Sequence, residues 1–394
     1  LGGGGILFFP AGTYLIDSQI SLRSTVSLRG SNAGSVLKAT EGLNQHVIYG
    51  LNSQNLVIDQ IHIDGSGSSQ TFGTGITIHD AEHVAIRNCR VFNTYSSCIN
   101  LSENPDGCDS CSVIGNVCED NLNSYSVVVD KSKNFRIANN LIINPAESGI
   151  QVFLSDNGSV TGNVVEHTGT HNSGFGGIRI TATSGLNSAI SVVGNVVRGT
   201  SRGIFLGDNT SDVSVTGNTI ENVGRDGIFL GSGGSNNVIS SNSIRNPSNE
   251  IANNWAGVTV SGCNSNLIAN NRITDTNSTP NMKYAIDTGG AAENNVVSSN
   301  YFTDGQTGDC LSSPRNYYSN NFSLDQRDSI ASANTLRLPF GGSIFNIPGQ
   351  PQLDNIQTGT NGRDILPRLG STVPVSNGTC NLRLNEDFVT GKQG

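Results

Sequence analysis

A short phrase repeats through the middle of the chain, and this repeat constrains the fold more than any other feature. Each unit holds an apolar β-branched segment, an Asn, a second short apolar segment, a polar turn and a final Gly-Ile-x-Ile/Leu segment. The Asn recurs every 23 to 32 residues, at Asn116, Asn140, Asn163, Asn195, Asn218, Asn242, Asn271 and Asn300. Self-similarity at a period of about 20–50 residues is typical of a solenoid, because each unit buries its apolar face against its neighbours.

Three strand-like segments per unit, without helical periodicity, predict an all-β fold: a right-handed, single-stranded parallel β-helix of about 10–12 coils. Equivalent strands in successive coils then stack ~4.8 Å apart. Period-two alternation places one set of apolar side chains inside, namely Ile178, Ile180, Ile204, Leu206, Ile228 and Leu230. The recurring Asn lies at a bend, where its amide can bond the Asn of the next coil, so we expect an internal Asn ladder.

The repeat ends near Leu324, which predicts a β-helix over residues 1–330 and a small C-terminal β cap, or the start of a small β domain, over 331–394. Residues 325–339 are expected to form a short helix that covers the open end of the stack, as terminal repeats require. The longer Asn spacings predict loop insertions at 170–176, 247–256 and 276–283. Insertions on one face of a solenoid commonly line its binding surface.

Charge and cysteine content exclude several classes of partner. The formal net charge is −9 and no Lys/Arg run could follow a phosphate backbone, so no nucleic acid is expected. No apolar run reaches the ~20 residues that span a bilayer, so no membrane partner is expected. Cys108, Cys111 and Cys118 lack a fourth ligand at zinc-finger spacing, so we expect no metal there but a local disulfide or buried thiols. Eight cysteines also fit an extracellular protein.

The opening residues 3–16, GGGILFFPAGTYLI, followed by Leu28-Arg29-Gly30, resemble the first coils of the pectate-lyase-like superfamily. That group includes polysaccharide lyases, polygalacturonase-type hydrolases, mannuronan epimerases and phage tailspike depolymerases. The segment SIASANTLRLPFGGSIFNI also resembles sequences that follow tailspike β-helices. The resemblance covers residues 1–345. It implies a secreted protein that binds long carbohydrate chains along the outside of the helix, with acidic catalysts and, from the tailspike likeness, a homotrimer.

The signatures of individual enzymes are mostly missing. The Asn-x-Asp, Asp-Asp, Gly-His-Gly and Arg-x-Lys set of polygalacturonase-type hydrolases does not occur in order, and neither does the Asp-Pro-His of mannuronan epimerases. Asp130 takes the strand position where those epimerases carry a further Asp. The calcium-binding clusters of pectate lyases are not evident either. The chemistry must therefore be argued from a site.

Aligning the third strand of each coil gives outward columns in which ionisable side chains concentrate. In a chain with only 13% charged residues, this clustering is the sharpest functional signal. Above the polar cluster lie two aromatic residues that suit the apolar faces of sugar rings. The predicted substrate-binding residues are His79, Asn100, Lys131, Gln151, Arg179, Phe205 and Phe229.

Hydrolysis of a glycosidic bond needs two carboxyl groups, one protonated and one ionised. Carboxylates on adjacent coils would lie about 5 Å apart, near the separation of retaining enzymes. We therefore favour an extracellular polysaccharide-degrading hydrolase in which Asp130 and Glu103 form the catalytic pair and Asp80 supports them. Lys131 and Arg179 would orient the sugar hydroxyls or a carboxylate, and no cofactor is needed.

Two alternatives remain open from the sequence. In the first, a uronate polysaccharide lyase or C5-epimerase uses Lys131 or His79 as base and Arg179 to neutralise the uronate carboxylate; calcium is possible for a lyase. In the second, a non-catalytic adhesin or tailspike binds glycans on the same face, and its charges only solvate the surface.

Overall fold

The described residues of the computed structural model are 3–102, 107–167, 174–182, 184–303, 305–311, 315–319, 321–323, 372–375 and 378–381. Three long parallel sheets, named A, B and C here, run through residues 5–323. Each coil contributes one strand to A, then B, then C, and the strand of the next coil pairs with it in parallel. The only helical segments in these ranges are the 3-10 turns Asn32–Gly34 and Gly67–Ser69, and neither could cross a membrane.

The strands of each sheet are given in stacking order. Sheet A contains Gly5–Phe9, Val26–Gly30, Gln54–Asp59, Glu82–Arg87, Ser112–Ile114, Arg136–Ala138, Asp156–Thr161, Asn187–Val193, Ser214–Thr216, Val238–Ser240, Leu267–Ala269, Val296–Ser298 and Tyr317–Ser319, with Thr210–Ser211 beside Asn187–Val193. Sheet B contains Gly12–Ile16, Ser35–Ala39, His62–Asp64, Arg90–Phe92, Val117–Glu119, Leu141–Ile143, Val164–Glu166, Val196–Arg198, Thr219–Glu221, Ser243–Arg245, Arg272–Thr274, Tyr301–Phe302 and Phe322–Ser323. Sheet C contains Ile20–Ser21, Ile48–Leu51, Ile76–His79, Ile99–Ser102, Val127–Asp130, Ile150–Phe153, Ile178–Thr181, Ile204–Leu206, Ile228–Leu230, Val258–Val260, Tyr284–Asp287 and Gly308–Leu311.

Sheet C has 12 strands, which confirms the parallel β-helix and its expected number of coils. The insertions at 247–256 and 276–283 both connect a strand of sheet B to the next strand of sheet C. The third insertion falls mostly on residues outside the described ranges, as does the helix expected at 325–339. In the expected C-terminal β region, Thr372–Val375 and Gly378–Asn381 form an antiparallel hairpin.

The interior is filled by one apolar side chain after another from each sheet, and the six residues predicted to face inward are all at most 1% exposed. The predicted Asn ladder is confirmed as well. From Asn116 through Asn300 to Asn321, each amide nitrogen donates to the Oδ1 of the next Asn at 2.9–3.0 Å. The ladder satisfies the polar groups that the bend between sheets A and B leaves inside.

Most Gly-Ile-x-Ile segments begin with glycine because a larger residue would clash with the packed interior at this position. A Cβ on Gly177 would lie 2.3 Å from Cγ1 of Val197, and one on Gly257 would lie 2.2 Å from Cγ2 of Ile273. Because side chains of sheet B fill this inner corner, only glycine lets the chain turn tightly into sheet C. This turn fixes where each strand of sheet C begins, and therefore which side chains share its outer face.

Candidate functional site on the outer face of sheet C

One outward column of sheet C runs in register through ten successive strands. It confirms the predicted alignment of Asn100, Gln151, Arg179, Phe205 and Phe229. The full column is Tyr49, Thr77, Asn100, Val128, Gln151, Arg179, Phe205, Phe229, Thr259 and Asp287. The fold therefore brings together five of the seven residues predicted to bind substrate.

Arg179 is held in the column by neutral groups. Its Nη1 donates to the hydroxyl of Tyr125 and to Oε1 of Gln151, both at 3.1 Å. Its guanidinium carbon lies 5.5 Å from the ring centre of Phe205 and 6.0 Å from that of Tyr125. Within the described part of the chain, Nε is covered without a hydrogen-bond partner, and no carboxylate pairs with the guanidinium. Among the described residues, this half-buried cation is therefore held by a phenol and an amide rather than by a carboxylate.

Phe205 and Phe229 lie one and two coils above Arg179 and meet edge to face, with ring centres 5.3 Å apart. Arg202, from the turn before the strand Ile204–Leu206, places its guanidinium carbon 5.1 Å from the first ring and 4.6 Å from the second. Unlike Arg179, Arg202 pairs with a carboxylate: its Nε lies 3.0 Å from Oδ2 of Asp226, and both side chains are almost fully covered. Aromatic rings and guanidinium groups therefore alternate along the column.

Two of the three predicted catalytic residues, Asp80 and Asp130, lie along the edge of sheet C where the chain turns back to sheet A. Asp130 ends its strand, opposite Phe153 of the next coil, and is half-buried with Oδ1 fully covered. Asp80 is the left-handed residue of this turn, and its Oδ1 accepts the backbone N–H of Gly107 at 2.9 Å. Glu103 lies outside the described residues, so its proximity to Asp130 remains a prediction.

The other two predicted binding residues, His79 and Lys131, lie outside this column. His79 stands opposite Ser102 on the next strand, and its Nδ1 is 3.0 Å from the Ser102 hydroxyl oxygen. Lys131 is a left-handed turn residue like Asp80, one residue beyond the strand. Asn100 lies in the central column, and its covered Oδ1 has no hydrogen-bond partner in the described ranges.

Sequence reasoning missed a second row of side chains, which comes from the turns between sheets B and C. Tyr125, Glu147 and Asp226 each precede a strand of sheet C by two or three residues. Burial raises the pKa of the Glu147 carboxyl above its usual range, and the positive charge of Arg179 offsets part of that rise. Burial also raises the pKa of Tyr125. The predicted insertions precede other strands of sheet C, so they gave no signal for this row.

Asp287, at the top of the central column, is a further half-buried acid. Burial is the main cause of its raised pKa, and the nearby Asp226 carboxylate raises it further. The Gly289 N–H, which donates to Oδ1 of Asp287 at 2.8 Å, acts in the opposite direction. Asp226 itself accepts the Thr259 hydroxyl at 2.6 Å. The upper coils therefore place one ion-paired carboxylate near one that is more easily protonated.

Six cysteines, Cys89, Cys98, Cys108, Cys111, Cys118 and Cys263, are core residues with free thiols at most 2% exposed, which agrees with the buried-thiol alternative. Burial raises the pKa of the Cys89 thiol to about 12. In the described ranges, no three His, Cys, Asp or Glu side chains form a group that could hold a metal ion.

The family model described as "Right handed beta helix region" matches residues 4–165 and 127–249, more than half of the chain. The chain therefore belongs to the right-handed β-helix family, as its sequence resemblance and its three sheets indicate. No curated protein sequence matches it.

Solved structures similar to the chain share its fold at low identity. The A-module of the mannuronan C-5 epimerase AlgE4 from Azotobacter vinelandii is 19% identical, with a TM-score of 0.68 over 79% of this chain and 90% of that one. The AlgE6 A-module from the same organism is 17% identical, with a TM-score of 0.64 over 82% and 91%. An exopolygalacturonase from Thermotoga maritima is 15% identical, with a TM-score of 0.53 over 82% and 84%. These proteins, as named, act on polysaccharides, and their likeness establishes the fold alone.

Proposed function

We propose that this protein is a carbohydrate-active enzyme that hydrolyses an acidic polysaccharide bound along the outer face of sheet C. One observation carries the proposal: Arg179 is fixed by Tyr125 and Gln151 among aromatic rings, without a carboxylate partner in the described part of the chain. A half-buried guanidinium in such a place suits a carboxylate from outside, because Arg binds carboxylates bidentately. A uronate sugar supplies that group together with an apolar ring face.

The surroundings of Arg179 fit the rest of such a substrate. Phe205 and Phe229 continue the column from Arg179 and offer rings on which sugar faces can stack. Since coils rise ~4.8 Å, close to the length of one pyranose unit, an extended polysaccharide would present about one sugar per coil. The names of the similar structures, mannuronan epimerases and an exopolygalacturonase, point to the same class of polymer.

For the chemistry, we assign the acid and the nucleophile or base to Asp130 and Glu103, with Asp80 in support and with Lys131 and His79 contacting the sugar. Asp130 and Asp80 lie along one edge of sheet C, next to the Arg179 column. Glu147, whose pKa burial raises, is an additional candidate acid at the opposite edge. A protonated carboxyl and an ionised one are what hydrolysis requires.

β-Elimination or C5-epimerisation of a uronate is the second candidate. The observation that favours it is the hydroxyl of Tyr125, 3.1 Å from the guanidinium of Arg179. In that reaction the cation would neutralise the uronate carboxylate, and Lys131, His79 or Tyr125 would take the C5 proton. The raised pKa of Tyr125 weighs against the phenol as the base. Calcium dependence would favour this alternative.

A panel of polyuronates and neutral polysaccharides tests both reactions. Hydrolysis produces reducing ends without ultraviolet absorbance, elimination produces an unsaturated product that absorbs, and epimerisation changes the uronate composition without cleavage. We expect Arg179→Met to lower kcat/KM by roughly 10²–10³-fold, as loss of a charge-stabilising donor does. The matched control is Arg272→Gln, which removes an exposed charge from sheet B and should leave kcat/KM unchanged.

Asp130→Asn tests the catalytic assignment separately. It should abolish turnover of the polymer that the wild type cleaves, with an unchanged circular dichroism spectrum. Full activity in this variant would remove Asp130 from the mechanism, whereas full activity in Arg179→Met would remove the acidic substrate. Binding of a polysaccharide by the wild type without any reaction would support the adhesin instead. We further propose that the protein acts outside the cytoplasm and as a homotrimer, the latter measurable by light scattering.

A further inference from the structure

A second group of rings lies on the same face of sheet C, at the opposite end of the column from Phe229. His46 stacks on Tyr49 with ring centres 5.6 Å apart, and Phe72 meets His46 edge to face at 5.1 Å. Tyr49 and His79 are 5.6 Å apart and tilted. Of the four, Phe72 is the most open, with 51% of its surface exposed. These four residues are called the lower platform.

The lower platform belongs to the same track as the proposed site. Tyr49 is the first outward residue of the ten-strand column that holds Arg179 and Phe229. His79 connects the platform to Ser102 on the next strand, toward the polar centre. Arg179 lies five strands above Tyr49, or roughly 24 Å, and Phe229 two strands further. The polar centre is therefore flanked by aromatic rings on both sides.

The charge of the lower platform suits a neutral ring face. Nδ1 of His46 accepts the backbone N–H of Thr74 at 3.3 Å, which leaves the imidazole proton on Nε2. Burial, helped by His79, lowers the pKa of His46 to about 4, so this ring is uncharged near neutral pH. The uncharged imidazole of His46, stacked on Tyr49, can bind the apolar face of a pyranose.

We propose that His46, Tyr49, Phe72 and His79 form a second sugar-stacking platform, which binds ring faces of the same polysaccharide on the far side of the polar centre. This inference rests on the proposed function. A single extended chain would then lie across the lower platform, Arg179 and the pair Phe205–Phe229. Because the track continues on both sides of the centre, the protein would recognise an internal stretch of a long chain and act as an endo-enzyme.

The alternative is that the four rings merely cover the outside of sheet C. Phe72 separates the two roles, since a side chain that is half exposed contributes little to packing. A matched control exists on sheet B, where Tyr301 and Phe322 form an exposed stacked pair with ring centres 5.3 Å apart. Removing one ring from each pair changes a similar surface on two different faces.

The experiment compares wild type, Phe72→Ala, Phe72→Leu and Tyr301→Ala on the polyuronate that the wild type cleaves and on the trimer of the same sugar. Phe72→Leu keeps apolar volume, so it guards against a folding defect. We expect both Phe72 variants to lose roughly fivefold to tenfold in kcat/KM on the polymer and nothing on the trimer. Tyr301→Ala should match the wild type on both, and early products should be long oligomers.

Other outcomes are distinguishable. If the wild type cleaves the polymer but the Phe72 variants equal it, or lose as much on the trimer, the lower platform has no role in binding and the proposed function stands. If early products are only monomers or dimers released from chain ends, the endo mode is wrong. If the wild type acts on no polyuronate, the proposed function fails, and this inference fails with it.

Discussion

The outer faces of sheets B and C belong to the same coils, yet their charged side chains differ in whether they form ion pairs. On sheet B, Glu166, Arg198, Glu221 and Arg245 are opposite one another on four successive strands. Each successive pair forms an ion pair, at 3.0–3.2 Å. These four charges neutralise one another and remain solvated, so this part of the face offers no net charge to a ligand.

On sheet C, the coil before these four and the first three of the four carry Gln151, Arg179, Phe205 and Phe229 in the central column. Here a cation has an amide, a phenol and aromatic rings around it. The β-helix imposes the same spacing on both faces, so the difference lies only in the residues chosen for the outward positions. The comparison indicates that a candidate binding face can be recognised by a charged side chain that no oppositely charged residue of the described chain pairs with.

The largest contrast is expected between two arginines. Arg202, on the sheet C side, pairs with Asp226 under nearly complete cover, whereas Arg198 on sheet B is 46% exposed. Arg202→Met should lower the free energy of unfolding by about 3–5 kcal/mol, because it leaves a buried carboxylate without its cation. Arg198→Met should cost no more than ~1 kcal/mol. Urea denaturation monitored by circular dichroism measures both.

The double variant Arg202→Met, Asp226→Leu sharpens this test, since it removes the stranded charge together with its partner. It should recover part of the loss, although the Thr259 hydroxyl then also loses its acceptor. Equal destabilisation by Arg202→Met and Arg198→Met would show that the buried ion pair of Arg202 and the exposed ion pairs of Arg198 contribute equally to stability.

The fold and the central column could be predicted because most coils repeat the same Asn and the same Gly-Ile-x-Ile/Leu segment, even where the coils differ in length. One buried Asn per coil marks the bend, and alternation then decides which side chains of the next strands point outward. A second buried ladder, formed by Asn237, Asn266, Asn295 and Asn316, was overlooked. Its signal was in the sequence, since each of these residues precedes an Asn of the first ladder by five positions.

The row of Tyr125, Glu147 and Asp226 could not be placed in the same way. These residues occupy turns whose length varies from coil to coil, and in turns no alternation fixes the direction of a side chain. The ion pair of Asp226 also joins residues 24 positions apart in two turns, which the strand alignment does not cover. The outward side chains of the regular strands could therefore be aligned from the sequence, whereas the side chains of the irregular turns beside them could not.

The next largest difference between the two faces is expected in how their stability changes as the pH is lowered. The pKa of His46, on the sheet C side, is lowered to about 4 by burial and by His79. The pKa of His62 on sheet B is also lowered by burial and by Arg90, but Glu119 counteracts it. A lowered pKa gives stability that is present above pH 6.5 and is lost as pH falls through the folded pKa, since the unfolded chain takes up the proton first.

His46→Asn keeps an acceptor for the Thr74 N–H and removes the titrating ring. Between pH 7 and pH 4 its melting temperature should fall less than that of the wild type, by a few degrees. His62→Asn should show a smaller benefit because Glu119 already offsets part of the effect. A pH dependence of His46→Asn identical to that of the wild type would contradict the neutral, buried ring on the lower platform.

The smallest expected effect concerns the acids at the edges. Burial raises the pKa of Glu147 above 4.5, whereas hydrogen bonds from Asn134 and Ser110 lower the pKa of Asp109, in the turn before sheet A, below 3.8. The raised pKa stabilises the fold below about pH 4.5 and loses that contribution as pH rises through the folded value. The lowered pKa acts in reverse, with its contribution present above 3.8 and lost as pH falls further.

Glu147→Gln should therefore raise the melting temperature slightly at pH 7 relative to pH 4, and Asp109→Asn should lower it. Differential scanning calorimetry at the two pH values gives both differences. Both side chains remain partly exposed, so each difference should be on the order of 1–2 °C. Changes of opposite sign in the melting temperature would show that burial destabilises the ionised Glu147 beside Arg179, whereas hydrogen bonds stabilise the ionised Asp109 beside sheet A. Changes of the same sign in both variants would show that the environment of Glu147 at the edge of sheet C does not differ from that of Asp109 in its effect on the ionised carboxylate.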